Sequence, residues 1–303
     1  MTGALFPTTE RRAHRVTGGE SIRSRQGLSA FALVALLVTL SASPLSALGV
    51  ATVHNPKANI TPQPNFLQSA VCTRNGSTWN CANPCVSSQT AGFVAYNNSP
   101  GCTQYLVQIV NVARKSENLQ PMVLPTNWYS LTPAEQLFVL ADLERRARGL
   151  PPYLGINKIL SDAAQRAAQR QTDPTTAAAF PIGLDAEHVP GMGSLWGTGF
   201  SAIESDYEWM YNDGWSGQQS TTFNISCTSA SASACWGHRD ELLGFDGTYN
   251  PGVGLSCKNC EMGVGFAEVN GHGSFADLIE LPKSSAPPMT FTWSKNVVPY
   301  LSQ

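Results

Sequence analysis

The chain has 303 residues and a formal net charge of −2, and its composition is 42% hydrophobic but only 13% charged. This apolar share suffices for one large buried core or two modest ones, and a charged share of about half the usual value excludes a disordered polyelectrolyte. Residues 1–47 hold five of the 19 basic and two of the 21 acidic groups, which leaves 14 basic against 19 acidic groups, a net charge of −5. An acidic remainder without clustered Lys and Arg excludes nucleic acid as a partner.

Residues 1–47 are predicted to be a secretory signal. Five arginines precede thirteen mostly apolar residues, Leu28–Leu40, and small residues at 41–43 and 46–47 offer cleavage positions. This order of basic, apolar and small residues is typical of exported proteins, and thirteen residues fall short of the roughly 20 that span a membrane. The predicted localisation is therefore secreted. An uncleaved N-terminal anchor is the alternative, because the basic region is long.

Eight cysteines follow the predicted signal in two groups of four. They are Cys72, Cys81, Cys85 and Cys102, and then Cys227, Cys235, Cys257 and Cys260. An even number of cysteines after a signal predicts four disulfides formed in an oxidising compartment. The grouping favours pairing within each group, and the connectivity stays open. Cys257 and Cys260 are predicted to close a structural loop, since Gly, Ser and Asn surround them and no second CxxC completes a zinc site.

The segment after the signal is predicted to contain little regular structure. Residues 48–66 are rich in Pro and Asn without periodicity, which indicates a linker. Residues 67–125 are predicted to be a Cys-rich cap followed by a helix. The cap is small, loop-rich and disulfide-tied over 67–103, and the helix covers 104–116, where apolar residues recur at helical spacing.

Three further helices are predicted. The first begins at Thr132, where Glu135 completes a capping box. The second covers Asn157–Gln171 and presents a stripe of small residues for close packing: Leu160, Ala163, Ala164, Ala167 and Ala168. Residues 172–200 are predicted to be irregular, because they are rich in Gly, Pro and Ala. The third helix covers residues 201–211.

The last part of the chain is predicted to be mainly β, after a short helical segment within 236–245. Three strands are predicted, at 263–267, 275–281 and 289–293. Helices early and strands late indicate an α+β fold. The main domain is predicted to cover 126–282, and residues 283–303 to be a C-terminal tail with a short strand.

Several short motifs follow one another between residues 130 and 282. A helix containing Asp142–Arg145 is followed by Gly149–Pro152 and by the alanine-rich helix. Trp209-Met210 comes later, and the Cys227–Cys235 loop precedes Trp236-Gly237-His238-Arg239. In this order and spacing the chain resembles the CAP superfamily of cysteine-rich secretory, antigen 5 and pathogenesis-related 1 proteins, in particular its secreted bacterial SCP-like members. The resemblance implies an α-β-α sandwich with a central antiparallel sheet, with the small N-terminal cap outside it.

The resemblance also implies a cleft in which two histidines and two acidic residues meet and sometimes hold a divalent metal. His238 takes the position of the late histidine, and His188 that of the early one. Ser194 stands where the family has its first Glu, and Asp213 follows Asn212, which stands at the second acidic position. The metal set is therefore His188, His238 and Asp213, with zinc as the ion that imidazole and carboxylate suit. The missing Glu predicts weak or absent metal binding.

Other candidate residues near this cleft are aromatic or acidic. Trp236 is predicted to line the cleft beside His238, whereas Trp209 is predicted to pack in the core. His272 is predicted to lie in a hairpin turn. Four acidic residues are predicted to form the solvated face of a helix: Glu204, Asp206, Glu208 and Asp213. N-x-S/T sequons occur at Asn59, Asn75, Asn97 and Asn224.

The favoured functional hypothesis is a secreted, non-enzymatic binding or scaffold module. Its ligand cleft is predicted to contain His188, Ser194, Asp213, Trp236 and His238, and the resemblance implies an extracellular partner such as a lipid, a glycan or a cell-wall polymer. The alternative is a secreted hydrolase, in which His238 is the general base, Asp213 orients it and Ser194 is the nucleophile. A purely structural surface protein is the third hypothesis.

Overall fold

The computed structural model describes residues 55–60, 72–75, 78–81, 84–85, 96–175, 191–217, 224–244, 259–280 and 289–302. These residues belong to one compact unit, Leu48–Gln303. The predicted signal, His188 and Cys257 lie outside the described residues. Within the described ranges, no helix is long and apolar enough to cross a membrane.

Helices and strands are both present in the described ranges, which confirms the α+β class. The helices are α1 Pro100–Ser116, α2 Pro133–Ala147, α3 Lys158–Arg170, α4 Ala202–Tyr211 and α5 Gly237–Leu242. The strands are β1 Cys72–Asn75, β2 Thr78–Cys81, β3 Gly155–Asn157, β4 Gly191–Gly199, β5 Glu261–Val269, β6 His272–Glu280 and β7 Met289–Thr292.

Side-chain caps determine where the helices begin. The hydroxyl of Thr132 accepts from the N–H of Glu135, and the Glu135 carboxylate accepts from the N–H of Thr132 at 2.8 Å, which confirms the predicted capping box of α2. At the start of α3, Oδ1 of Asn157 accepts from the N–H of Ile159 at 2.8 Å. Helix α1 begins at Pro100, four residues earlier than predicted, because Ser99 caps it.

The larger sheet has five strands in the order β4-β6-β5-β3-β7. Neighbouring strands are antiparallel except β3 and β5, which run parallel where Ile156 pairs with Met262. The sheet is therefore mixed, and the predicted antiparallel sheet is wrong at this pair. Between β3 and β5 the chain passes through α3, β4, α4 and α5, a connection long enough to return it to the same end of the sheet, as parallel pairing requires. Strands β1 and β2 form a separate two-stranded sheet within the predicted cap.

Strand β4 lies in a stretch for which the sequence predicts irregular structure, and that prediction is wrong over these nine residues. Glycines hide the alternation typical of a strand, yet the packing requires them. A Cβ on Gly193 would lie 2.8 Å from the Cβ of Glu241, and one on Gly197 would lie 2.9 Å from Nε1 of Trp209. The small residues therefore allow α4 and α5 to approach the sheet closely.

Helix α3 packs against one face of the sheet through its small-residue stripe. A Cβ on Gly263 would lie 2.2 Å from the carbonyl carbon of Leu160, and one on Gly265 would lie 2.3 Å from that of Ala164. The helix backbone thus contacts two glycines of β5 directly. The alanines of the stripe are buried, and the predicted close packing is confirmed.

Helices α2, α4 and α5 cover the opposite face and enclose the main core. This core contains Leu195 and Phe275 from the sheet and Phe138 from α2. Trp209 of α4 is fully buried within it, which confirms the predicted core position. The core places the ends of α4 and α5 next to β4, where the candidate site lies.

Two disulfides are present in the described residues. Cys85 pairs with Cys102 at the start of α1, and Cys227 pairs with Cys235 just before α5. Each bond joins cysteines of one predicted group, and Cys260 is also disulfide-bonded. The disulfide content is therefore confirmed for these pairs, and the cap as a separate unit stays a prediction.

Candidate functional site

His238 and Asp213 meet at the start of α5. Nδ1 of His238 lies 2.6 Å from Oδ1 of Asp213, with Nδ1 as the donor to the carboxylate. The backbone N–H of Arg239 donates to Oδ2 of the same carboxylate at 3.2 Å. The Asp213 side chain is fully buried, while the His238 side chain is 24% exposed. A buried carboxylate therefore holds an imidazole at the protein surface.

The loop before α5 is built around the backbone of Asp213. The N–H of Trp236 donates to the Asp213 carbonyl at 3.0 Å, and the Asn224 amide donates to the Ala234 carbonyl at 2.7 Å. Trp236 has a φ of 67°, and its ring lies so close to Gly214 that a Cβ there would approach ring atoms to 2.2 Å. These contacts set the direction in which the chain enters α5 and so orient His238.

The electrostatic surroundings favour a charged imidazole. Burial disfavours the charged form of His238, but the hydrogen bond and negative charge of Asp213, with the charges of Glu241 and Asp173, outweigh this effect. The pKa of His238 is therefore raised above its ordinary value. Burial also raises the pKa of Asp213, and the hydrogen bonds from His238 and Arg239 counteract that rise.

Glu241 is a second polar side chain of the site. It follows His238 by three residues on α5, a spacing that places both side chains on one side of the helix. Its Oε2 accepts from the backbone N–H of Ser194 at 3.0 Å, which links α5 to β4. Burial raises the pKa of Glu241 to about 7, and the Ser194 N–H and the charge of His238 act in the opposite direction. Glu241 therefore gains or loses its charge near neutral pH.

A network of buried ion pairs lies beneath the site. Nη1 and Nη2 of Arg239 donate to Oε1 and Oε2 of Glu117 at 2.9 and 2.7 Å. Nη2 of Arg148 donates to the same Glu117 at 3.0 Å, and Nη1 of Arg148 donates to Glu144. The hydroxyl of Tyr211 donates to Glu144 at 2.9 Å. Glu117 therefore connects the end of α1 with both α2 and α5.

The acidic residues of α4 are buried, so the prediction of a solvated face is wrong. Glu204, Asp206 and Glu208 are each at most 3% exposed, and Asp213 is also buried. Burial and the charge of Glu208 raise the pKa of Glu204 well above its usual range, and burial and the charge of Glu144 do the same for Asp206. The spacing of acidic residues suggested a surface, but α4 is enclosed by the sheet and by α1, α2 and α5.

Zinc binding at this site stays a prediction. In the part of the chain that the structure describes, no group of three or more His, Cys, Asp or Glu side chains is arranged to hold a metal ion. Of the predicted ligands, His238 and Asp213 are paired with each other, and His188 lies outside the described residues.

The structure brings several predicted site residues together around α5. His238 and Asp213 form the pair, and Ser194 approaches α5 through its main chain, by the bond to Glu241. Trp236 is predicted to line the cleft, but it is only 8% exposed, and the Arg239 guanidinium lies 5.6 Å from its ring centroid. Trp236 therefore packs beneath the site and does not line its surface.

Sequence reasoning missed four residues that hold the site: Glu117, Asn224, Arg239 and Glu241. The three-residue spacing between His238 and Glu241 on a helix was a usable signal. Asn224 was visible only as a glycosylation sequon, whereas its amide is buried and hydrogen-bonded. Glu117 lies 122 residues from Arg239, and no local pattern indicates that contact.

The chain was compared with known families, proteins and structures. Comparisons with family models, with curated proteins and with solved structures find no match for this chain.

Proposed function

We propose that the protein is an exported, disulfide-bonded domain that binds a polar extracellular ligand at the surface around His238 and Glu241, without chemical turnover. The observation that carries this proposal is the partly exposed His238 imidazole held by the fully buried Asp213 carboxylate. Because the partner is buried and hydrogen-bonded on both oxygens, the imidazole is already oriented, and a ligand that contacts it orders few groups on binding.

The charge state of the site favours binding over catalysis. A raised pKa keeps the His238 imidazole protonated at mildly acidic pH, where it donates hydrogen bonds and is a poor base. Glu241 adds a carboxyl group that accepts or donates near neutral pH. Imidazole and carboxyl groups suit a hydroxyl-rich ligand, so a glycan or a cell-wall polymer fits the site better than a lipid chain does.

Export and family membership belong to the same proposal. The basic and apolar segment before residue 47 and the two disulfides support secretion, because disulfides persist in oxidising compartments. Helices on both faces of the sheet support a CAP-like sandwich. The parallel pairing of β3 and β5 departs from the antiparallel sheet that the resemblance implies.

The test is co-sedimentation of the purified protein with insoluble peptidoglycan and with chitin. We expect binding to at least one polymer, with an affinity that falls at least tenfold in His238→Ala, because a hydrogen bond to a charged group is lost. His272→Ala is the matched control, since that histidine lies at the β5–β6 hairpin and not in α5. Equal binding by His238→Ala, or no binding by the parent protein, would contradict the proposal.

The 2.6 Å contact between His238 and Asp213 also favours a second candidate, a hydrolase, because a carboxylate at Nδ1 orients a general base. Ser194 is the nucleophile in that hypothesis. Its neighbours Gly193 and Leu195 face α5 and the main core, so the alternation of β4 directs the Ser194 side chain to the opposite face of the sheet. Release of p-nitrophenol from p-nitrophenyl acetate is the readout, compared between the parent, His238→Ala and Ser194→Ala. Turnover that disappears in both variants would replace the binding proposal, and turnover that survives Ser194→Ala would exclude this nucleophile.

A further inference from the structure

We propose that Glu117 and Arg239 are positioning residues of the ligand site: the forked contact between them fixes the helix that carries His238 to the end of α1. The inference deepens the proposed function, and it rests on that function only for its effect on ligand affinity. Neither residue is proposed to touch the ligand.

Arg239 is anchored in a single orientation. Its guanidinium donates to both carboxylate oxygens of Glu117, at 2.9 and 2.7 Å, and to the carbonyl of Met210 at the end of α4. It is fully buried, and the rings of Trp236 and Tyr211 lie within 6 Å of it, with centroid distances of 5.6 and 5.9 Å. A planar fork bound to a carboxylate at two points determines direction as well as distance, which a single ammonium group does not.

The same residue reaches the site through its backbone. The N–H of Arg239 donates to Oδ2 of Asp213 at 3.2 Å, while Oδ1 of Asp213 binds Nδ1 of His238 at 2.6 Å. A displacement of Arg239 therefore changes both contacts of the Asp213 carboxylate. Because α5 has only six residues, its own hydrogen bonds contribute little, and tertiary contacts have to determine its position.

Glu117 is itself held from two sides. It is the residue that ends α1, and its carboxylate also accepts from Nη2 of Arg148, which is bound in turn to Glu144 on α2. The Glu117 side chain is 16% exposed, so water screens these contacts only in part. Glu117 therefore fixes the beginning of α5 relative to the ends of α1 and α2.

The experiment uses two substitutions that preserve charge and change geometry. Arg239→Lys keeps the positive charge but loses the fork, and Glu117→Asp keeps the negative charge but shortens the side chain. Asp162→Asn is the control, because it removes an exposed partner of Lys158, whose side chain is 66% exposed. The first readout is the downfield NMR resonance of the His238 Nδ1 proton in the absence of ligand, and the second is affinity for the polysaccharide that the parent protein binds.

We expect Arg239→Lys and Glu117→Asp to remain folded by the dispersion of their amide spectra, to shift the Nδ1 resonance upfield or broaden it beyond detection, and to bind about tenfold more weakly. Asp162→Asn should leave both readouts unchanged. Folded variants that keep the parent resonance would overturn the proposal, and should Arg239→Lys fail to fold, Glu117→Asp decides. The resonance is measured without ligand, so a failure of polysaccharide binding would reject the proposed function and leave the positioning result intact.

Discussion

Gly214 shows how a single residue shapes the candidate site. It follows Asp213 directly, and its backbone N–H donates to Oδ1 of Asn59 at 2.6 Å. A Cβ at this position would lie 2.2 Å from Cε2 and Cζ2 of Trp236. Since Trp236 holds a left-handed backbone conformation and binds the Asp213 carbonyl, its ring cannot retreat without disturbing the loop that orients His238.

Gly214→Ala should therefore lower the free energy of unfolding by roughly 1–3 kcal/mol, the usual cost of forcing an extra carbon into a packed region. Urea denaturation monitored by tryptophan fluorescence measures this change. Gly237→Ala is the matched control, because nothing lies within 4 Å of a Cβ at that position and alanine favours the helix that begins there. Equal destabilisation by the two substitutions would show that the Trp236 contact does not limit position 214.

At this scale, the sequence predicts the residues of the site better than their contacts. His238 and Trp236 stand in a motif that resembles the CAP superfamily, and Asp213 directly follows Asn212, which stands at that family's second acidic position. The contact of Glu117 with Arg239 depends on how α1 and α5 pack together, so no local sequence pattern predicts it. Asn224 illustrates a polar residue whose role becomes visible only when the backbone carbonyl it binds is known.

Among the elements, helix α4 departs furthest from the expected pattern. All ten of its residues are buried, including three carboxyl groups at alternate positions. Both carboxylate oxygens of Asp206 lack a hydrogen-bond partner among the described residues. Burying a carboxylate disfavours its charged form, so these groups take up protons on folding and release them on unfolding. The helix therefore makes the stability of the protein depend on pH.

Glu208 allows this dependence to be tested. Burial, the largest effect, raises its pKa from 4.5 to about 8, and the Asn212 hydrogen bond opposes the rise. An acid whose pKa is higher in the folded state binds its proton more tightly there, so its effect on stability is unfavourable as pH rises from about 4.5 to about 8 and then levels off.

We expect Glu208→Gln to remove this loss. The amide keeps an oxygen for the Asn212 donor at 2.6 Å and carries no charge. Relative to the parent, the variant should gain roughly 2–4 kcal/mol of unfolding free energy between pH 5 and pH 8, at about 1.4 kcal/mol per tenfold change in proton affinity. Urea midpoints measured across this range provide the comparison. A difference between the two proteins that does not grow with pH would show that Glu208 is charged in the fold.

Helices and strands are predictable from the sequence where neighbouring residues determine them. The capping box at Thr132 and the alanine stripe of α3 are written in neighbouring residues, and both are confirmed. Strand β4 is rich in glycine because α4 and α5 approach it closely. The glycines replace the apolar residues that would otherwise alternate along the strand, so the sequence shows no strand period there. Strand β3 has only three residues, too few to show any period. The order of strands in the sheet depends on β3 and β4. Because neither strand shows a recognisable period, the mixed sheet could not be predicted from the sequence.

At the scale of the whole molecule, the two disulfides whose cysteines both lie in the described residues have different positions relative to the site. Cys85–Cys102 joins a preceding segment to the first turn of α1, where Asn97 also donates to the Cys85 carbonyl at 3.0 Å. Cys227–Cys235 closes a loop of separation 8 whose last residue directly precedes Trp236. The first disulfide therefore attaches the preceding segment to α1, and the second constrains the residues that lead into α5.

Removing each bond should separate stability from site geometry. The double variant Cys85→Ala/Cys102→Ala should lose about 3 kcal/mol of unfolding free energy, the loop-closure value for a separation of 17, and keep the His238 Nδ1 proton resonance. The double variant Cys227→Ala/Cys235→Ala should lose about 2.5 kcal/mol by the same relation and should also shift that resonance, because the loop no longer holds Trp236 against Gly214. Urea denaturation and NMR spectra of both variants measure the two effects. An unchanged resonance in the second variant would mean that the buried contacts of Asn224 and Arg239 hold His238 in place without the disulfide.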